Sequence, residues 1–267
     1  MDFFHLTIIS LIQGITEFLP ISSSGHLVLL PALTSWDDQG QLIDVAAHFG
    51  TLGAVVIYLW PEILRMIKAS LTFGRYDKQG LMMVFILILA SLPVIIVGLI
   101  VELIDPAFLR FAITVALANL IFAGWLYRVD SISPQHRTMD DLTFVDAFKI
   151  GCAQILALIP GTSRSGVTMT MARQCGFSRI EAARFSMLMS VPVIVGATIL
   201  KSRHFFDEGA DASIASAGFV VVLSLITALL AIRFMMGWLA RANFKIFVYY
   251  RLGLGVILLA ALAAGAI

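Results

Sequence analysis

Two short polar stretches hold the side chains of this chain best suited to bond-making chemistry. The first, QGITEFLPISSSGH over residues 13–26, places Gln13 and Glu17 one helical turn apart, followed by Ser22, Ser23, Ser24, Gly25 and His26. The second, PGTSRSG over 160–166, sets Thr162, Ser163, Arg164 and Ser165 between Gly161 and Gly166. A serine beside a histidine is the least that an activated nucleophile or a general acid–base pair requires. An arginine among glycine-rich turns, with main-chain N–H groups turned to one point, recognises phosphate oxygens. The residues after Pro160 also open a helix, and a helix N-terminus favours an anion. A carboxylate with a neighbouring amide suits a divalent cation that bridges phosphate oxygens as well. The combination describes phosphoryl chemistry.

Each residue type has a plainer role to set beside that one. Serines at a chain break cap the next helix. His26 can be a hydrogen-bonded structural residue, Glu17 a buried protonated carboxyl, and Arg164 a clamp on a lipid head group. His48, within DVAAHFG, reads as structural or supporting rather than catalytic, and Glu102 and Asp105 read as solvated loop residues. Cys152 and Cys175 show no metal-ligand or redox spacing and read as small buried hydrophobes. The plainer roles weaken together, because both stretches carry the same kind of polar break.

The elements that must position these residues lie in a membrane. Of 267 residues, 60% are hydrophobic and 13% charged, with a mean hydropathy of +0.96; a soluble domain carries about 25% charged residues. The formal net charge of +1 gives no pull toward nucleic acid. No cleavable secretory signal is expected, since the first apolar stretch lacks a basic flank and an Ala-x-Ala site. Apolar runs at roughly 43–60, 81–101, 109–127, 185–200, 218–237 and 248–265 predict six transmembrane helices. Residues 3–33 and 148–175 are apolar too, but the polar stretches break them into arms too short to span. They predict two re-entrant helix-loop-helix hairpins whose tips face a site rather than lipid. Charged side chains at such depth are costly, which makes Glu17 and Arg164 functional candidates.

On this parse the loops of one side carry only Arg110, Lys201 and Arg203, whereas fourteen of the eighteen Lys and Arg residues, from Arg65 to Arg251, fall on the other. The positive-inside rule makes the second side cytoplasmic and puts both termini outside. The chain then reads as one integral membrane domain, 1–267. It is built of inverted repeats, about 1–127 and 148–267, joined by a cytoplasmic loop 128–147, with the site where they meet. LPISS (19–23) and IPGTS (159–163) align at a constant offset; a second echo, SLPVIIVG (91–98) against SVPVIVG (190–196), does not fit that register.

Taken together, QGITEFLPISSSGH and PGTSRSG resemble the two signature motifs of the undecaprenyl-pyrophosphate phosphatase family, also called the bacitracin-resistance proteins. DVAAHFGTLGAVVIYLW and EAARFSMLMSVPVIVGATIL are similar to its other characteristic stretches, so the resemblance covers essentially the whole chain. It implies a bacterial inner-membrane hydrolase that removes one phosphate from undecaprenyl pyrophosphate, recycling the carrier lipid for peptidoglycan and other envelope polymers. It further implies a divalent cation, Mg2+ or Ca2+, and a site open to the periplasm. Carried over by residue, Ser23 and His26 form the catalytic pair, Arg164 grips the pyrophosphate, and Glu17 assists metal or water binding. Ser23 is then the nucleophile and His26 its base; His26 attacking directly, or activating water, is the alternative. Gln13, Ser22, Ser24, Gly25, Gly161, Thr162, Ser163, Ser165 and Gly166 line the substrate cradle. The family pattern is Glu or Gln, three residues, then Glu, so Gln13 leaves Glu17 as the one carboxylate of that motif. The expected partners are the polyprenyl pyrophosphate lipid, the bilayer and a second copy in a homodimer, with no nucleic acid. The competing reading is a transporter, a flippase for polyprenyl phosphate that uses the same anion site for binding alone.

Overall fold

The computed structural model describes residues 3–23, 25–27, 34, 36, 40–104, 106–202 and 214–265. Ser24, Asp105 and Arg203, singled out above, and most of the return arm of the first hairpin lie outside them. Among the described residues every regular element is helical: α1 (Phe3–Thr16), α2 (Gly40–Tyr58), α3 (Trp60–Leu71), α4 (Lys78–Ile104), α5 (Ala112–Ile132), α6 (Phe144–Gln154), α7 (Arg164–Gln174), α8 (Arg179–Ser202), α9 (Ile214–Leu239) and α10 (Lys245–Ala263). Short 3-10 turns cover Ala107–Arg110, Met139–Asp141 and Ile155–Leu158.

Helices α2, α4, α5, α8, α9 and α10 are long and apolar enough to cross a membrane. They coincide with the six runs expected, and the protein is an all-helical polytopic membrane protein. Helix α1, with 14 residues, reaches only about 21 Å at 1.5 Å per residue, short of the ~30 Å hydrocarbon core. Helices α6 and α7, with 11 residues each, are shorter still. Pro93 and Pro192 lie inside α4 and α8 without ending them. These two helices pack on each other, so the SLPVIIVG and SVPVIVG echo marks a pair of neighbouring proline-bearing spans.

One expected loop is a helix. Within 61–80, α3 starts with Pro61 in its first turn and sets Glu62, Arg65 and Lys68 three residues apart, while Ile63 and Met66 pack against the core. That is an amphipathic helix of the kind that lies along a membrane surface; its charges mask the apolar period when read as a loop.

The arginine-rich end is tied by buried ionic contacts. Arg173, 0% exposed, donates to Asp130 at 3.1 Å and to the carbonyls of Ser133, Pro134 and Phe177. Arg179 also reaches Asp130, at 2.7 Å. Arg137 clamps Asp146 at 2.6 Å, and Asp146 completes a capping box with Thr143 at the start of α6. Burial alone pushes the Asp146 carboxyl up, but the Arg137 and Thr143 hydrogen bonds hold it below the usual carboxylate range. Above this end, α1 packs on α9 as α6 packs on α4, while α2 meets α8 and α5 meets α10. The two short helices occupy like places, and the chain breaks that follow them meet.

Candidate active site

The two breaks are built alike. Ser22 and Ser163 both adopt the left-handed conformation, each with φ 72°. Their Oγ atoms accept from the glycine N–H three residues on, Gly25 at 3.2 Å and Gly166 at 3.1 Å, so each serine caps the helix that follows. Nine residues before each lies a wholly buried glutamine, Gln13 or Gln154. These likenesses register Ser22 with Ser163, one residue away from the LPISS/IPGTS alignment, and set Ser23 opposite Arg164. Gly161, at φ 91°, lies against α5 where a Cβ would overlap the Val115 carbonyl, and Gly25 packs onto it. Ser165 Oγ donates to the Leu19 carbonyl at 2.8 Å and stitches the second break to the first.

At the junction sits Glu17, 7% exposed and held by three donors. Its Oε2 accepts from Ser23 Oγ at 2.7 Å and from Gln13 Nε2 at 3.0 Å, and its Oε1 accepts from Arg164 Nη2 at 3.0 Å. Arg164 also donates to the Ser186 carbonyl at 3.3 Å and lies over the Phe18 ring at 5.8 Å. Glu17, Ser22, Ser23, His48, Ser163 and Arg164 line a cavity of about 200 Å³ together with Val45 of α2, Ala157, and Val193, Ile194, Ala197 and Thr198 of α8. The lining thus offers both polar groups for a charged head group and apolar surface for an aliphatic chain.

The hydrogen bonds of the expected site residues are as follows in the structure. The Ser23–His26 hydrogen bond is not formed. His26 Nδ1 meets the Ser22 carbonyl at 2.6 Å, which fixes the hydrogen on Nδ1 because a carbonyl only accepts, and Nε2 meets the Tyr250 hydroxyl at 2.6 Å. The ring bonds back to the carbonyl four residues earlier and is drawn toward α10, leaving Ser23 to Glu17. Gln13, Gly25, Thr162, Ser165 and Gly166 are not among the residues lining this cavity and pack next to it within the two polar stretches. Thr162 is 0% exposed, with Oγ1 unpartnered among the described residues. Ser24 lies outside the described residues. Three residues near the site were not read as part of it: His48, Tyr250 and Arg251. His48 lines the cavity, its Nδ1 donating to the Asp44 carbonyl at 2.7 Å. Arg251 was counted as a loop charge, yet it lies inside α10 and is 0% exposed. The signal available was a lone arginine within an apolar span.

Both Glu17 oxygens already accept hydrogen bonds, one of them from a guanidinium. Among the described residues no three His, Cys, Asp or Glu side chains are grouped to hold a metal ion. A divalent cation beside Glu17 would draw further ligands from substrate phosphates and water, and the Gln13 Oε1 next to it is buried with no partner among the described residues.

Comparison with known proteins identifies the family. Residues 6–257 match the family model described as bacitracin resistance protein BacA. Among similar proteins, the undecaprenyl-diphosphatase of Roseobacter denitrificans is 44% identical, over 97% of this chain and 98% of its own length. That of Jannaschia sp. is 45% identical over 97% and 98%, and that of Alcanivorax borkumensis 40% identical over 98% and 100%. With the match running through both breaks and five spans and into the sixth, the chain belongs to the bacitracin resistance protein BacA family.

Proposed function

We propose that this protein hydrolyses a polyprenyl pyrophosphate, undecaprenyl pyrophosphate by the names its relatives carry, to the lipid monophosphate and inorganic phosphate. The observation that carries this reading is the 2.7 Å hydrogen bond from Ser23 Oγ to the Glu17 carboxylate, a hydroxyl held at proton-transfer distance from a base. Ser23 Oγ attacks the terminal phosphorus while Glu17 takes its proton. The bridging P–O bond breaks and the lipid monophosphate departs with that electron pair. Water then cleaves the phosphoserine; its proton passes to a base in the site, and Glu17 returns a proton to Ser23. Arg164, opposite Glu17, turns its fork to the phosphate oxygens and stabilises charge as it spreads over the transferring group. Mg2+ or Ca2+ fits this reading: Glu17 would hold it together with the substrate phosphate, where it would supply charge neutralisation for the transferring group.

The reading includes a periplasmic opening of the site, with both termini periplasmic and the end that holds the Arg137–Asp146 and Arg173–Asp130 pairs in the cytoplasm. Two re-entrant hairpins within inverted repeats are part of it as well, supported by the shortness of α1, α6 and α7 and the matching serine caps. A flippase needs the arginine and the hydroxyls for binding but has no use for a serine held on a carboxylate. The test is phosphate release from farnesyl or undecaprenyl pyrophosphate by the purified protein in detergent, where transport between compartments is impossible. Release at a catalytic rate is expected; its absence in folded protein contradicts the reading. Arg164→Lys is expected to lower kcat/KM by about 10²- to 10³-fold, because the ammonium loses the planar two-point contact. Near-normal turnover in that variant contradicts the clamp role.

A further inference from the structure

Among the described residues, Arg251 differs from the other wholly buried arginine, Arg173. Arg173 has a carboxylate partner and hydrogen bonds from all three guanidinium nitrogens. Arg251 is also 0% exposed, but only its Nη2 is engaged, donating to the carbonyls of Gly161 at 3.0 Å and Thr162 at 2.8 Å. Its Nε and Nη1 have no partner among the described residues, and no carboxylate there pairs with it. A buried, uncompensated charge weakens a fold rather than strengthening it, so packing does not account for its presence.

What it holds is the turn that presents Arg164. All peptide bonds here are trans, so the N–H of each following residue points opposite to the carbonyl that Arg251 grips. The Thr162 N–H closes the turn on the Ile159 carbonyl at 3.1 Å. The Ser163 N–H, opposite the Thr162 carbonyl, is turned away from Arg251. Among the described residues the N–H groups of Ser163, Arg164 and Ser165 have no acceptor, whereas those of Gly166 and Val167 are taken by Ser163. Three successive main-chain donors at a helix N-terminus, after a left-handed residue, form an anion-binding concavity.

We propose that Arg251 is the positioning residue of this cradle. By fixing the Gly161 and Thr162 peptide planes it aims the N–H groups of Ser163 to Ser165 at the phosphate, and its unpaired charge draws the anion toward the turn. The adjacent Tyr250 holds His26 of the other break, so one turn of α10 braces both. The proposal rests on the phosphatase reading, and its test separates the two. Full-length wild type, Arg251→Met and Arg251→Lys are compared for thermal unfolding, for the melting shift induced by inorganic pyrophosphate, and for kcat and KM. Arg251→Met is expected to melt at or above the wild-type temperature, since an unpaired buried charge is gone. It should lose the pyrophosphate shift and fall at least tenfold in kcat, with Arg251→Lys recovering part of both. An Arg251→Met protein that keeps wild-type kcat and pyrophosphate shift overturns the proposal. So does one whose activity loss only follows a lowered melting temperature. A wild type that shows the pyrophosphate shift but releases no phosphate overturns the phosphatase reading and leaves the cradle standing.

Discussion

Replacing Ser23 with alanine is expected to lower kcat by about 10⁴- to 10⁶-fold, the scale seen when a covalent nucleophile is removed from a site that acts as a unit. The prediction follows from where the hydroxyl lies. Ser23 sits first in the helix that Ser22 caps, bonded to Glu17 at 2.7 Å and facing the same cavity as Arg164. Removing one oxygen leaves Glu17 with Gln13 and Arg164 as donors, so the fold and the anion cradle survive. KM should therefore move little, and thermal stability should stay within about 1 kcal/mol of wild type. Steady-state phosphate release together with a melting curve checks both halves.

Glu17→Gln should have the second-largest effect, a fall in kcat of about 10³- to 10⁴-fold, and should differ from Ser23→Ala in stability. The amide still accepts a hydrogen bond from Ser23 but takes no proton. It also leaves Arg164, whose side chain is 14% exposed, without its 6%-exposed ionic partner. Breaking one side of a buried pair costs about 3–5 kcal/mol because the remaining charge is uncompensated. A pyrophosphate analogue bound to Arg164 should return part of that loss, so its melting shift should be larger in Glu17→Gln than in wild type. A variant with both normal melting and normal turnover contradicts the assignment of Glu17 as base and as anchor of Arg164.

The spans and the site differ in how far they could be read from the amino acids. Apolar length alone locates α2, α4, α5, α8, α9 and α10, because the bilayer imposes one period and one minimum length. The charged, helical α3 escaped, since its polar face breaks that apolar run. Glu17, Ser23 and Arg164 were identifiable as polar residues in an apolar setting, and they do converge. Their partners were not identifiable in the same way. Proximity in sequence suggests that Ser23 pairs with His26, but the helix geometry turns His26 to Tyr250, more than two hundred residues away. Likewise nothing near Gly161 in sequence announces that its carbonyl is held from α10 by Arg251. Backbone conformation also sets the register of the two breaks: a left-handed serine followed by a glycine amide on its hydroxyl is a geometric signature, and residue identity alone placed it one position off.

The central claim is that Ser23 carries the phosphoryl group between the lipid and water. Mass spectrometry of the protein quenched during turnover of farnesyl pyrophosphate tests it most directly. Phosphate on Ser23, absent from Ser23→Ala and from protein without substrate, is the predicted result. Phosphate on His26, or full turnover with no phosphorylated residue at any quench time, contradicts it.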